Sequence, residues 1–407
     1  MKICDLEKCT GCGACIEICP NKCITLEESD AFGTMRPKIT ENSCVNCGLC
    51  RKVCHVNNEE VKEGQLLVQC YAARCADKKM RSNAASGGIA SLMYKHSVEH
   101  DIFTMGTYFD CKKGVGYREV TDMKDIEWAR DSKYVYSNME KVYELYRRNI
   151  VHGKKCIFIG LPCQVAALKK YLMIKKVDQS SILYVEIVCH GVPNFKILRE
   201  HLDYIEKKKK KKIDNVHFRE PDSAFNFTCY STGRKIWIRT MHGNDTFFRG
   251  FSIGLFFREN CYNCCYAKRQ RYSDITIGDY SGLGTLEPFS GDKYQMSLVL
   301  CNNDKGQNWF DELCEAQEVE RYKRPLNEAI NADGNPQLRY PSRKPEQKKI
   351  FDDRYVATRD FEFSANCAMK KLFFEYYIKW PKNMMKEVLK KIIPYRVKRV
   401  IKRMVGN

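Results

Sequence analysis

The feature that most constrains this chain is a four-cysteine pattern that occurs twice within its first sixty residues. Both copies have the spacing Cys-x2-Cys-x2-Cys-x3-Cys, and their members are Cys9, Cys12, Cys15, Cys19, Cys44, Cys47, Cys50 and Cys54. Three cysteines in one tight loop can face a single centre, and Gly11 and Gly48 let the backbone approach that centre closely. The fourth cysteine, at the start of the following helix, points toward the neighbouring centre. Residues 1–60 are therefore predicted to form one small unit built around two centres.

This spacing is typical of proteins that hold two 4Fe-4S clusters, in which the fourth cysteine of each run binds the other cluster. Cluster one would then be held by Cys9, Cys12, Cys15 and Cys54. Cluster two would be held by Cys44, Cys47, Cys50 and Cys19. A pair of zinc sites is the alternative, but zinc ribbons usually combine two Cys-x2-Cys knuckles. Residues 1–60 are thus predicted to be a bacterial-ferredoxin-like domain, with His55 in place of the usual proline.

The overall composition predicts a folded, cytoplasmic protein. Of the 407 residues, 44% are hydrophobic and 23 are cysteines. The N-terminus has no apolar stretch like that of a signal peptide, and no run of about 18 apolar residues could span a membrane. Because thiols stay reduced in the cytosol, the cysteines are interpreted as metal ligands or buried side chains and not as disulfides.

The middle of the chain has the pattern of an α/β protein. Residues 154–160 and 181–191 are apolar, strand-like runs, and the helical pattern of residues 164–172 lies between them. A strand–helix–strand unit of this kind should be parallel with a right-handed crossover. Cys163 and Cys189 each follow the carboxyl end of a strand, so we expect them at one edge of the sheet, where α/β proteins place ligands.

A further group of cysteines precedes the next predicted strand, residues 274–278. Cys261 and Cys264 (or Cys265), together with Cys163 and Cys189, would supply four thiolates for a third 4Fe-4S cluster. Three alternatives remain. They are a zinc site made by the same residues, a reactive Cys163 thiol with a pKa lowered by its helix N-terminus, and buried free cysteines. Cys4 and Cys23 are out of register with the ferredoxin pattern and have no predicted role.

Several short motifs occur in an order that resembles the beta subunit of coenzyme F(420)-reducing hydrogenase and dehydrogenase, with a two-cluster ferredoxin in front. The motifs are Ser86-Gly87-Gly88, Ser132-Lys133-Tyr134-Val135, Gly160-Leu161-Pro162-Cys163-Gln164, Cys189-His190-Gly191, and Cys261-x2-Cys264 followed by Asp274 to Asp279. The resemblance covers roughly residues 1–320. It implies a flavin, usually FAD with FMN as the alternative, beside a 4Fe-4S cluster. It also implies electron transfer between the clusters and a small-molecule hydride donor or acceptor.

The resemblance further implies roles for single residues. The flavin candidates are Ser86, Gly87, Gly88, Lys133 and Tyr134. The two glycines would let the backbone approach a pyrophosphate at the start of a helix, but a serine cap and glycine turn would have the same sequence. Lys133 would pair with the phosphate charge, or would simply be a surface lysine, and Tyr134 could equally belong to the core.

Two residues are candidates for catalysis. His190 would be a proton donor near the flavin, and Asp279 would contact the flavin or orient a substrate. The alternatives are a structural hydrogen bond for His190 and a cap of a turn or helix for Asp279.

The C-terminal segment is strongly basic. The net charge of the chain is +19, and residues 370–407 contain twelve Lys or Arg against two Glu. Their helical spacing of apolar residues predicts a basic amphipathic helix that lies on an anionic membrane surface or docks on a protein. Because no nucleic-acid-reading motif accompanies the charge, we do not expect nucleic-acid binding.

The predicted fold class is thus a multidomain α+β and α/β protein. It has the ferredoxin-like domain (1–60), two parts of an α/β flavin-binding region (65–150 and 151–320), and a linker with a basic helical tail (321–407). The predicted function is a flavin-dependent iron–sulfur oxidoreductase with a ferredoxin-like or other redox partner. Many bacterial members of the family lie beside surface-polysaccharide genes, which suggests such a link. The alternatives are an electron-relay subunit of a larger complex and a non-catalytic iron–sulfur scaffold at the membrane.

Overall fold

The computed structural model describes residues 2–57, 69–220, 226–240 and 245–374 of the chain. The strands are β1 (Ile24–Glu28), β2 (Met35–Ile39), β3 (Gln69–Cys75), β4 (Phe103–Asp110), β5 (Gly114–Glu119), β6 (Cys156–Gly160), β7 (Ile182–Ile187), β8 (Asn215–His217), β9 (Asn226–Ser231), β10 (Arg234–Thr240), β11 (Ile275–Asp279), β12 (Ser297–Cys301) and β13 (Val319–Lys323). The α-helices are α1 (Ala14–Glu17), α2 (Leu49–Val53), α3 (Lys78–Ser82), α4 (Ile89–Glu99), α5 (Ile126–Ala129), α6 (Val142–Val151), α7 (Pro162–Ile174), α8 (Phe195–Lys209), α9 (Thr246–Ser252), α10 (Glu259–Tyr262), α11 (Asp304–Ala316), α12 (Leu326–Ile330), α13 (Gln347–Thr358) and α14 (Phe361–Phe374).

The N-terminal unit consists of two short helices, α1 and α2, and the antiparallel hairpin β1–β2. Gly13 and Gly48 stand at the N-caps of α1 and α2, with φ of 80° and 75°. Side chains are strained in this left-handed region, so glycine suits the point where each cysteine loop turns into its helix. The two halves of the unit therefore repeat in structure as they do in sequence.

The main body is built on an eight-stranded mixed sheet with the order β13-β3-β12-β11-β7-β6-β4-β5. Strands β4, β6, β7 and β11 run parallel, and the remaining pairs in the sheet are antiparallel. The side chains of β6 and of residues 275–277 in β11 are buried on both faces, as is usual for parallel strands. The parallel unit predicted for residues 154–191 is thus confirmed as β6–α7–β7.

Strands β3, β6, β7 and β11 all end at the same edge of the sheet, which we call the carboxyl edge. Antiparallel β12 begins there, because its first residue Ser297 pairs with Asp279 on β11 and with Ala73 on β3. Asp279 is the last residue of β11, whereas the sequence pattern placed it just beyond the strand.

The N-terminal unit packs against the face of the sheet that carries α6 and α7. Ile18 and Val53 of the N-terminal unit share one hydrophobic core with Tyr143 of α6 and Tyr171 of α7. Tyr143 also donates a hydrogen bond of 2.8 Å to the carbonyl oxygen of Cys12. The four-cysteine repeat and the α/β region therefore form one continuous core.

The second part of the body contains the small antiparallel sheet β10-β9-β8 with α8, α9, α13 and α14. Residues 321–374, which we expected to belong to a linker and tail, include the end of the edge strand β13 and three helices. Phe351, Tyr355 and Phe361 are buried against α8 and α9 residues. Residues 375–407, where most of the predicted basic helix falls, lie outside the described residues. Among the described helices, none is long and apolar enough to cross a membrane.

Candidate metal centres and redox site

The cysteines predicted to hold cluster one lie together around the start of α1. The Cys4 thiol lies within hydrogen-bonding reach of the thiols of Cys9 and Cys54, and its contact with Cys54 helps to raise the pKa of Cys4 to about 12. Cys12 and Cys15 are the next neighbours in this group of thiols. The structure therefore brings the fourth cysteine of the second run to the first loop. Cys4 is an additional thiol whose place the sequence pattern did not predict.

The cysteines predicted to hold cluster two line one small cavity. Its cysteines are Cys19, Cys23, Cys44, Cys47 and Cys50. The sulfurs of Cys19 and Cys23 are 3.4 Å apart, so Cys23 is the additional thiol here. Cys47 is exposed, in contrast to the buried Cys9 and Cys15 of cluster one. The pseudo-symmetric positions of Cys4 and Cys23 could not be derived from the spacing, because both are out of register with it.

The predicted third set of cysteines surrounds a cavity of about 330 Å³ at the carboxyl edge, here called the cysteine cavity. Cys163 lies in the first turn of α7, and Cys189 follows β7. Cys261 lies in α10, and Cys264 shares an apolar contact group with Cys163 while Cys265 is exposed. These positions favour Cys264 over Cys265 as the fourth member of the set.

The chemistry of the cavity fits an iron–sulfur cluster. Burial raises the pKa of Cys163 well above its usual value and that of Cys189 to about 12, so a low-pKa reactive thiol gains no support here. Within the described residues, no three His, Cys, Asp or Glu side chains are grouped tightly enough for a single metal ion. The ferredoxin cysteines are no more tightly grouped, so this finding does not separate zinc from a cluster. Four thiols around one cavity match the ligand set of a cubane, and the zinc alternative stays open.

Buried polar contacts hold the turn that carries Cys163. Gln164 is fully buried, and its side-chain oxygen accepts hydrogen bonds from Tyr117 (2.9 Å) and from the backbone N–H of Leu161 (3.1 Å). Its side-chain nitrogen donates to the carbonyl and hydroxyl oxygens of Ser137, both at 2.9 Å. Gln164 therefore fixes the start of α7 from both sides.

The cysteine cavity also borders the N-terminal unit. His55 directly follows Cys54, and its ring contacts the Thr10 hydroxyl at 3.0 Å and the Tyr266 hydroxyl. His55 is buried, and this burial lowers its pKa to about 4, so the ring is neutral. Tyr266 follows the Cys264 loop and lines the cavity. One polar chain therefore connects the loops of cluster one with the loop of the third set.

The first group of flavin candidates lies at the carboxyl edge beside β3 and β12. Ser86 donates a hydrogen bond of 3.2 Å to the carbonyl oxygen of Met296, and the N–H of Gly87 donates one of 2.8 Å to the Ser297 hydroxyl. A Cβ on Gly87 would lie 2.6 Å from the carbonyl oxygen of Ala73. Gly88 is the N-cap of α4, with φ of 86°. Close packing and the left-handed turn thus account for both glycines, and contact with a flavin stays a prediction.

Lys133 and Tyr134, the second group of flavin candidates, contact α5 and α9. The Lys133 ammonium donates to four carbonyl oxygens at the end of α5, those of residues 128–131, and burial lowers its pKa to about 8. The Tyr134 ring stacks on Phe251, with 4.4 Å between the ring centroids. The core packing named as the alternative for Tyr134 is present, whereas Lys133 is not a surface lysine but caps the end of α5. The flavin contacts of both residues stay predictions.

His190 and Asp279 lie near each other at the carboxyl edge. His190 lines the cysteine cavity. Desolvation of its ring by the surrounding protein lowers its pKa, whereas the negative charge of nearby Asp279 acts to raise it. Asp279 forms an ion pair of 2.9 Å with Arg219, which sequence analysis did not single out. The side-chain oxygen of Gln337, also on the cavity wall, is buried and has no hydrogen-bond partner within the part of the chain that the structure describes. The catalytic roles of His190 and Asp279 stay predictions.

Comparison with known protein families agrees with the segments defined above. Residues 153–324 match the family described as the C terminus of the beta subunit of coenzyme F(420) hydrogenase/dehydrogenase. Residues 8–58 match the 4Fe-4S dicluster domain. The order of motifs in the sequence had indicated both, and this family resemblance is confirmed.

Two characterised relatives have similar sequences. One is the F(420)H(2) dehydrogenase of Methanosarcina mazei, whose F subunit is 22% identical over 347 residues, which cover 80% of this chain and 87% of that protein. The coenzyme F(420)-dependent sulfite reductase of Methanocaldococcus jannaschii is 25% identical over 178 residues, which cover 42% of this chain and 26% of that protein. These relatives and the dicluster domain support iron–sulfur clusters and an oxidoreductase role for this chain.

The chain also matches one chain in a solved structure. It is a chain of the F(420)-reducing [NiFe] hydrogenase complex from Methanosarcina barkeri, studied by xenon derivatisation. The match covers 76% of this chain and 92% of that chain, with a TM-score of 0.42 and 15% sequence identity.

Proposed function

We propose that this chain is an iron–sulfur flavoprotein oxidoreductase that passes electrons between 4Fe-4S clusters and a hydride donor or acceptor through a flavin. When bound, 4Fe-4S clusters exchange single electrons and a flavin, FAD or FMN, exchanges a hydride with a small molecule. The observation that carries the proposal is the cysteine cavity. It collects Cys163, Cys189, Cys261 and Cys264 at the carboxyl edge and is bordered by the N-terminal unit. A third 4Fe-4S cluster in this cavity would connect the two predicted clusters to the candidates for hydride chemistry.

The chain's own residues give this relay two ends. At one end Cys47 is exposed, and the neighbouring Val45 is 64% exposed, which suits the docking of a ferredoxin-like redox partner near cluster two. At the other end His190 and Asp279 lie at the carboxyl edge beside the cysteine cavity. A hydride donor or acceptor at this end would be held by Arg219 and Asp279, and His190 would hold or release a proton through its ring nitrogen.

A relay subunit that needs a separate catalytic protein is the second candidate. It is favoured by the structural contacts that already engage Gly87, Lys133 and Tyr134. The two relatives, a dehydrogenase subunit and a sulfite reductase, fit either candidate. The scaffold hypothesis, a membrane contact through residues 370–407 and a link to surface polysaccharide remain predictions of the sequence.

Flavin titration distinguishes these functions. Protein purified without oxygen is incubated with FAD or FMN, freed of excess flavin, and mixed with either a hydride donor or reduced ferredoxin while the flavin absorbance is recorded. Bleaching by a small-molecule hydride donor would support the enzyme, and bleaching by ferredoxin alone would favour the relay. Absence of bound flavin with clusters intact would contradict the enzyme and leave the relay or the scaffold.

A further inference from the structure

Arg258 is a buried cation without a carboxylate partner among the described residues. It is 5% exposed, and within those residues no Asp or Glu lies at ion-pair distance from its guanidinium. The neighbouring Glu259 pairs instead with Lys344 (2.9 Å) and Lys348 (3.4 Å). A buried unpaired charge is strongly unfavourable, so the environment of Arg258 should supply a negative charge from another source.

Two other buried arginines of this chain show the usual solution. Arg271, which is 2% exposed, pairs with the fully buried Glu186. The Arg324 side chain, 7% exposed, forms an ion pair of 2.7 Å with Glu328. These two arginines receive a carboxylate, whereas Arg81, 7% exposed, donates to the carbonyl oxygen of Cys75 at 2.7 Å. Arg258 differs from all three in its position beside two sets of cysteines.

The contacts of Arg258 point to both cysteine sets. One guanidinium nitrogen (Nη2) donates to the carbonyl oxygen of Thr10, in the cluster-one loop, and lies 3.4 Å from the position of a Cβ on Gly11. On the other side the carbonyl oxygen of Arg258 accepts a hydrogen bond of 2.8 Å from the N–H of Cys261. The side-chain Nε of Arg258 is buried and has no hydrogen-bond partner among the described residues, and the residue lines the cysteine cavity.

The position of the guanidinium is fixed by an aromatic ring. Its central carbon stands 3.9 Å from the ring centroid of Tyr136, a cation–π contact. Cys261 and Cys163 of the third set and Cys9 of cluster one each have a favourable charge interaction with this guanidinium once ionised. Cysteines that bind a metal are thiolates, so loaded clusters place negative charge on both sides of this guanidinium.

We infer that Arg258 is the counter-cation shared by cluster one and the third cluster, and that it raises the reduction potential of both. This inference rests on the third cluster of the proposed function. When one electron leaves cluster one, the third cluster gains it, so the summed charge around Arg258 stays constant. A fixed positive charge between the two positions stabilises the electron at either one, since cluster potentials depend on net charge and on hydrogen bonds to the sulfurs.

The test compares the Arg258→Gln and Arg36→Gln variants, each loaded with iron–sulfur clusters in the absence of oxygen. Arg36 also donates to the cluster-one loop, through the carbonyl oxygen of Cys9, and has no contact with the cysteine cavity. Midpoint potentials are read from a redox titration followed by EPR. Signals are assigned with a Cys261→Ser variant. Arg258→Gln should lower the reduction potentials of cluster one and the third cluster by at least about 59 mV each, which is a tenfold change in the one-electron equilibrium constant. Cluster two should not move. Arg36→Gln should lower the potential of cluster one alone.

Unchanged potentials in Arg258→Gln with full iron content would overturn the inference, and so would a shift confined to one cluster. If Arg258→Gln does not retain its iron, Arg258→Lys is measured, because lysine keeps the positive charge but lacks the planar guanidinium and its paired N–H donors. Potentials close to the native ones would support the charge effect, whereas shifts at both clusters would reject it. Failure of the proposed function is seen separately, as native protein that holds only two clusters.

Discussion

At the scale of single residues, Gly87 separates two explanations of the same motif. The sequence suggested that Ser86-Gly87-Gly88 approaches a flavin phosphate, whereas the structure places the Cα of Gly87 against the backbone of β3 and β12. Gly87→Ala should therefore destabilise protein prepared without flavin, by about 1–3 kcal/mol as an overpacking change. Denaturant unfolding of the flavin-free protein measures this.

Ser86→Ala is the matched control for Gly87→Ala. It removes one hydroxyl that donates a 3.2 Å hydrogen bond at a half-buried site, and should change stability by no more than about 1 kcal/mol. If Ser86→Ala loses flavin at native stability, the motif contacts the cofactor. If Gly87→Ala is as stable as the native protein, the packing explanation is wrong.

Residue identity and spacing were enough to predict which cysteines lie together as a candidate set of ligands. They were not enough to predict which other side chains lie around each set. The eight ferredoxin cysteines follow a fixed spacing, and Cys163 and Cys189 follow strands whose parallel direction could be inferred. Cys4, Cys23 and Arg258 could not be found in this way, because their roles depend on contacts between segments distant in sequence. Lys133 shows the opposite case, since a lysine that caps α5 and one that binds phosphate look alike in sequence.

At the scale of elements, a buried ionic group connects α8, α9 and α14. His201 of α8 is fully buried, lies 3.0 Å from Asp245 at the N-cap of α9, and contacts Glu362 of α14. Burial acts to lower the pKa of His201, but the two carboxylates outweigh it and raise the pKa to about 10. The protonated ring thus holds together helices that the sequence assigned partly to a tail.

The raised pKa of His201 predicts how stability changes with pH. The contribution of His201 to the free energy of unfolding should be complete below the pKa of histidine in the unfolded chain, about 6.5. It should be lost as the pH rises through the folded-state pKa of about 10. His201→Gln leaves the fully buried Asp245 and the partly buried Glu362 without a cation and should cost about 3–5 kcal/mol near neutral pH. As the pH rises from 6 to 10, the denaturant midpoints of the native protein and of His201→Gln should converge. A constant difference across that range would contradict the assignment.

Elements were predictable where one physical pattern dominated. Strands β6, β7, β11 and β12 are apolar runs that only a buried sheet would accommodate. Strand β13 has the sequence VERYK, with a largely exposed side-chain pattern, and α13 has the sequence QKKIFDDRYVAT, with five charged residues and only two aromatic ones. Such segments gain their order from the body they pack against, so local sequence did not reveal them.

At the scale of the whole molecule, His55 connects the N-terminal unit to the main body. His55→Pro restores the residue usual after this cysteine run and removes the ring that contacts Thr10 and Tyr266. We expect the eight ferredoxin cysteines to keep their iron, while the contact between the unit and the body weakens. Hydrogen exchange should rise in the Thr10 and Tyr266 loops and stay native in α8 and α9.

The matched control for this junction is Tyr266→Phe, which removes only the hydroxyl that contacts His55. It should raise hydrogen exchange in the same two loops, by less than His55→Pro. Native exchange in both variants would show that the polar chain does not hold the two parts together.

The central claim is a relay of three clusters whose last member fills the cysteine cavity. The measurement that tests it most directly is iron and acid-labile sulfide per chain, on protein prepared without oxygen, for the native chain and for a variant with Cys163, Cys189, Cys261 and Cys264 all changed to alanine. With four irons in each cubane, the account predicts about twelve irons in the native chain and about eight in the variant. About eight irons in both proteins would contradict it.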